Sequence, residues 1–269
     1  MAAALGVVGG AGRLVTLTWK VETELPVAVI RFEGVLDVDT APEVRLAVAT
    51  ALALQPAAVV ADLAGLTAAA ADDDLTVFAA CARSAAAWPG CPVALSGPPD
   101  AVAAGLARMS VNRSAVIHPD LDHALAALEA VPPPLRFRQR LTAAPSITGP
   151  AARAMVVAAC EAWGVNAAAG LEQVANRAEL VVTELVSNAI IHAKTELEVV
   201  VALREPFLHI SVADGSPAPP RLLSPDAPDT IGGRGLILVE TLTTKWGYLP
   251  TRDGKVVWTM MRLGPPPVR

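Results

Sequence analysis

Three groups of residues in the second half of the chain have the types and spacing to do chemistry. In the string ELVSNAIIHA, Glu184, Asn188 and His192 fall at i, i+4 and i+8. Steps of four drift by about 40° around a helix, so all three project from one face, with Leu185, Val186, Ala189 and Ile190 free to face a core. Taken alone, such a pair of Glu and Asn is usually a solvated helix face. The second group is Asp214-Gly215, an acidic residue and a glycine at a strand end, a common turn. The third is IGGRGLILVETL, where Gly233, Arg234, Gly235 and Leu236 open a helix. A glycine-rich turn into a helix offers bare backbone N–H groups to an anion. Arg234 adds a bidentate donor for phosphate, or is a surface arginine. In this order the three groups form a specific combination.

The elements that must position them follow from pattern. LRFRQRL (residues 135–141) alternates as a strand, apolar at 135, 137 and 141 and basic at 136, 138 and 140. Pro145-Ser146 opens a helix to about Trp163, with Gly164 as its stop. A second helix over about 171–193 carries Glu184 and Asn188, and His192 is expected to pack at its end. Strands at 197–203 and 207–212 precede a segment at 216–230 with prolines at 217, 219, 220, 225 and 228.

On these residues the second half resembles the GHKL (Bergerat) ATP-binding domain, and within it the anti-sigma-factor serine/threonine kinases, over about residues 135–264. The resemblance implies that Asn188 brings its side-chain oxygen to Mg²⁺ and that Glu184 orients or deprotonates the attacking hydroxyl or water. It implies that Asp214, with Gly215, fixes adenine by accepting from the exocyclic amine, and that Gly233, Arg234, Gly235 and Leu236 hold the polyphosphate. Residues 216–232 would form a lid over ATP, and 245–262, with Trp246, Gly247 and Trp258, would close the sheet. Phosphoryl transfer asks the protein mainly for positioning and charge neutralisation, and Mg²⁺ is content with few protein oxygens. One departure stands out. The family's first glycine box is commonly D-x-G-x-G, whereas this chain has Asp214-Gly215-Ser216-Pro217-Ala218. Adenine binding is still expected, and the change bears on tight binding and turnover.

The first half alternates strands and helices: strands at 14–20, 26–32, 58–63, 92–96 and 114–118, helices at about 40–54, 72–87, 99–108 and 120–130. Such alternation implies an α/β layer fold. Thr40 or Asp39 can cap the first helix, with Pro42 in its first turn. The strings FEGVLDVDTAPEVRLAV (32–48) and ADLAGLTAAAADDDLTVF (61–78) resemble the STAS domain of anti-sigma-factor antagonists. That family's switch is a serine or threonine at a helix N-terminus. The matching stretch here is Ala71-Asp72-Asp73-Asp74-Leu75, with no hydroxyl, and Thr67 and Thr76 are out of register. The Asp72–Asp74 run is either a helix start that favours carboxylates or a permanent, partial stand-in for a phosphoryl group.

Composition sets the frame. The chain has 269 residues, 53% hydrophobic and 17% charged, enough for sizeable cores. Residues 1–134 carry a net charge of −7 and residues 135–269 a net of +2, with the change of sign at Pro132-Pro133-Pro134. Three prolines favour a stiff, extended connector. The expected organisation is a STAS-like α/β domain at 14–130, a Pro-rich linker at 131–134 and a GHKL α/β sandwich at 135–264. The overall charge of −5 and an aromatic content of 4% argue against nucleic acid as a direct partner. No apolar run reaches membrane-span length, and the apolar start lacks a basic n-region. Cys81, Cys91 and Cys160 form no CxxC pair, which suggests a reducing cytoplasm and no zinc site.

Two functions remain in view. The first is a regulatory protein that binds Mg-ATP and phosphorylates Ser or Thr of a separate STAS antagonist in a partner-switching system, with a sigma factor as a further partner and a homodimer possible. The second is a non-catalytic, nucleotide-gated binding module regulated by its own STAS-like domain. A histidine-kinase fragment is disfavoured, because no dimerisation helix pair with an acceptor histidine precedes residue 135.

Overall fold

The computed structural model of the chain describes residues 4–7, 17–22, 26–165, 172–220 and 235–264. The chain divides into two compact units, Met1–Pro133 and Pro134–Arg269. Both are mixed α/β, as the alternation of periods in the sequence predicts.

The first unit is built on a six-stranded sheet in the order β1-β2-β3-β4-β5-β6: β1 (Ala4–Val7), β2 (Thr18–Glu22), β3 (Val27–Leu36), β4 (Ala58–Ala69), β5 (Val93–Ser96) and β6 (Val116–His118). β1, β2 and β3 pair antiparallel, and β3 to β6 are parallel. Parallel neighbours need crossovers. These are helices α1 (Ala41–Ala53), α2 (Thr76–Ala87) and α3 (Asp100–Arg108), with α4 (Leu121–Leu128) following β6. Alternation on β3 splits the sheet faces. Val27 and Val29 lie with Val60, Ala94, Ala124 and Leu128 beneath α4. Phe32 meets Phe78 of α2 edge-on, with ring centroids 6.0 Å apart.

Several local expectations change. β1 falls in the apolar N-terminal run, where no element was expected. β4 runs six residues past the expected end at 63, because its later residues pair with β3 beyond a bulge. Thr40 occupies the N-cap of α1 without a side-chain cap bond; its hydroxyl accepts from the Asp37 N–H at 2.8 Å, and Asp37 Oδ1 accepts from the Thr40 N–H at 2.8 Å. The helix expected at 72–87 begins as a 3₁₀ turn, Asp72–Leu75, before α2. There Asp74 accepts from the Ala71 N–H at 3.0 Å, and Asp72 makes a two-pronged bond with Arg108 of α3 at 2.5 and 2.9 Å.

The second unit is an antiparallel five-stranded sheet in the order β10-β11-β9-β8-β7: β7 (Leu135–Leu141), β8 (Leu197–Arg204), β9 (Phe207–Asp214), β10 (Lys245–Thr251) and β11 (Gly254–Arg262). Helices α5 (Pro145–Ala162) and α6 (Glu172–Asn188) pack on one face. Val156, Cys160, Val182, Val186, Val199, Val201, Ile210 and Val212 are among the buried residues of that core. Helix α7 (Gly235–Leu242) adds Val239. The basic residues of β7 find a partner across the strand pair: Glu198 of β8 accepts from Arg138 at 2.5 Å and from Arg140 at 3.2 Å. Among the described residues no helix is long and apolar enough to cross a membrane, and the three cysteines are buried and form no disulfide.

Candidate functional site

α6 presents Glu184 and Asn188 as the spacing predicts. Val181, Val182, Leu185 and Val186 are buried in the core, while Glu184 and Asn188 are half-buried on the other side of the helix. Asn188 is the last α-helical residue. Ala189–Ala193 form a π turn, closed by a bond from the Lys194 N–H to the Ala189 carbonyl at 3.2 Å, with Lys194 in the left-handed region at φ 57°. A π turn inserts a residue into the helical repeat and commonly marks a functional end of a helix. Here it breaks the i+4 rule, so His192 does not pack at the helix end but is exposed.

The first residue of α7 meets this face. A Cβ on Gly235 would overlap the Glu184 carboxylate, so only glycine leaves the helix start against that side chain. Leu236 is buried at 5% exposure and anchors α7 to the unit. Gly233, Arg234 and most of the expected lid lie outside the described residues.

Asp214 is the last residue of β9, two positions beyond the expected strand end, and is held from three sides. Its strand neighbours are Leu197 of β8 and Lys255 of β11. Lys255 Nζ donates to Asp214 Oδ1 at 2.8 Å, with the two side chains 7% and 2% exposed. The Ser216 N–H donates to the same oxygen at 2.9 Å, and Lys255 also donates to the Ser216 carbonyl at 3.1 Å. The Gly215 N–H donates to Thr195 Oγ1 at 2.9 Å, which ties the strand end to the chain leaving the π turn. At Gly254, a Cβ would collide with the Asp214 carbonyl, so the turn between β10 and β11 must carry glycine there.

Lys255, Thr195 and Gly254 escaped the sequence reading. A lysine at an inward position of the alternating strand GKVVWTMMR was the available signal. Its partner could be known only from the adjacency of β11 and β9.

The residues fit a nucleotide with its magnesium. Among the described residues Asn188 Nδ2 is buried without a hydrogen-bond partner, so no donated bond ties this side chain to the protein. Among the described residues no group of three His, Cys, Asp or Glu could cage a metal. A lone Asn oxygen suits an ion which takes few protein ligands and completes its shell with phosphate and water, as Mg²⁺ does. Asn188 would hold the ion, whose contribution is to neutralise charge on the phosphates; Glu184 would orient the acceptor; Asp214 would hold the base.

Residues 141–261 match the family described as histidine kinase-like ATPase domain. No curated protein sequence matches the chain. Solved structures similar to its N-terminal part include an anti-sigma factor antagonist from Mycobacterium paratuberculosis, at 25% identity and a TM-score of 0.37, over 45% of this chain and 99% of that chain. They also include the anti-sigma factor antagonist SpoIIAA in its unphosphorylated form, at 16% identity, TM-score 0.36, over 42% and 98% of the two chains. A sulfate transporter family protein from Wolinella succinogenes is similar at 16% identity and TM-score 0.35, over 41% and 90%.

Proposed function

We propose that this chain, whose second unit carries a histidine kinase-like ATPase domain, is a regulatory protein that binds Mg-ATP and transfers phosphate to Ser or Thr of a separate STAS-domain antagonist. In this reading residues 14–130 form the STAS-like domain, 131–134 the linker and 135–264 the ATP-binding domain, with a sigma factor as the partner released or held by the switch. The observation that supports it most is the seating of Gly235 against Glu184. The glycine-rich start of α7, where phosphates would gather, thereby faces the carboxylate that would orient the acceptor.

Asn188 would meet the metal, Glu184 would take or orient the proton of the attacking hydroxyl, and Asp214 would accept from the adenine amine. Gly233 and Arg234 would complete the phosphate cradle with Gly235 and Leu236. The chain's own STAS-like unit is not the substrate in this reading. Its matching stretch has no hydroxyl, and nearby Thr67 and Thr76 donate to the carbonyls of Gly34 and Asp73 at 3.1 and 2.7 Å.

Incubation of the full chain with labelled ATP, Mg²⁺ and separate STAS proteins from the same cell tests the reading, with Asp214→Asn as control. Label should pass to a Ser or Thr of one partner. The substitution should weaken ATP by about 1.5–3 kcal/mol, the worth of a charged hydrogen bond, and reduce the preference for ATP over GTP. Mg-ATP binding without transfer to any partner would favour the binding-module reading instead.

A further inference from the structure

Lys255 occupies a place that the reading above leaves without a task. It faces Asp214 across the β9–β11 pair, and its ammonium is withdrawn from water with only 7% of the side chain exposed. A buried ammonium is costly unless its donors are used. It has three. Among the described residues two are accounted for, by Asp214 Oδ1 and the Ser216 carbonyl. On the carboxylate, both bonds fall on Oδ1, from Lys255 and from the Ser216 N–H. Among the described residues the pair therefore leaves Asp214 Oδ2 and one ammonium N–H without a partner, in a place withdrawn from water where such bonds are strong.

The pairing edge of adenine is the complement: the exocyclic amine donates, and the adjacent ring nitrogen N1 accepts. We propose that Lys255 is a second base-reading residue, donating to N1 of adenine while Asp214 Oδ2 accepts from the amine. The proposal rests on the reading of Asp214 as the adenine acceptor. Its chemistry sets specificity as well as affinity. In the same pose guanine turns a carbonyl oxygen toward the carboxylate and an N–H toward the ammonium, a mismatch at both atoms. A site with Asp214 alone would meet only the first. Unpaired polar groups left in a dry site are what make such discrimination steep.

The test is calorimetry on the full chain with Mg²⁺, comparing ATP with the analogue in which N1 is replaced by carbon. The unaltered chain should prefer ATP by about tenfold or more, the ratio expected for a charged hydrogen bond. Lys255→Met should bring the two nucleotides to within about twofold of each other, and Lys255→Gln, which keeps an N–H donor, should retain part of the preference. A merely structural lysine would weaken both nucleotides alike and leave their ratio unchanged, which overturns the proposal. So does equal binding of the two by the unaltered chain, a comparison that needs no variant to fold. Failure of the unaltered chain to bind ATP at all overturns the reading of Asp214 along with this one. ATP bound without preference overturns only the role of Lys255.

Discussion

The backbone of Gly235, at the start of α7, lies so close to Glu184 on α6 that any side chain there would displace the carboxylate. The atom in the way is the far end of a flexible side chain. Gly235→Ala should therefore turn Glu184 to another rotamer, at a cost of about 0.5–1.5 kcal/mol, rather than unfold the unit. Phosphate transfer should fall by roughly 10²-fold or more, as when a proton acceptor is removed, while ATP affinity changes much less. Single-turnover label transfer set beside calorimetry checks this; equal losses in both would detach Glu184 from the acceptor role.

Asn188 should show opposite effects on stability and binding. Among the described residues its Nδ2 has no partner, so Asn188→Ala removes no bond donated by that amide. Stability in urea should hold within about 0.5 kcal/mol or rise. Mg²⁺-dependent ATP affinity should be lost. A variant that still needs Mg²⁺ for tight binding would take Asn188 out of the metal's shell.

His209 supplies a pH dependence. Burial, with a smaller contribution from the nearby Arg204 cation, pushes its imidazolium pKa down to about 3. It lies on β9 with 1% exposure, and among the described residues neither ring nitrogen has a hydrogen-bond partner. The folded protein keeps this ring neutral where the unfolded chain takes up a proton. Stability should thus be full above the ordinary histidine range and fall as pH drops from about 6.5 towards 3, at up to roughly 1.4 kcal/mol per pH unit from this group. Urea midpoints of the second unit at pH 7, 6 and 5 should show a steeper loss for the unaltered chain than for His209→Leu. Parallel curves would refute the assignment.

Asp72 should titrate below the ordinary carboxylate range, because its hydrogen bonds to the Arg108 guanidinium favour the ionised form. Arg108→Ala should raise it, followed by the carboxyl carbon resonance across an acid titration. A pair this exposed adds little to stability. The informative outcome is the pKa, and an unmoved Asp72 in the variant would show that the contact is not made in solution.

Short spacing along the chain carries the local part of this protein. The i, i+4 placement of Glu184 and Asn188 against a core face of Leu185 and Val186 is a property of helical periodicity. Most strands and helices of both units follow from alternation and turn residues, whereas β1 and the far end of β4 do not. Asp214-Gly215 and the glycines before α7 could be read as a set because their order along the chain is itself specific. The tertiary structure decided what lies between distant segments. Lys255 meets Asp214 across 41 residues because β11 inserts beside β9, an adjacency that strand propensity does not encode. Asp72 finds Arg108 across 36 residues because α3 packs beside the 3₁₀ turn. The π turn that frees His192 from the Glu184 face closes on a backbone bond, which no side-chain pattern announces. Local periodicity thus placed the groups on their elements, and sheet order and helix packing chose their partners.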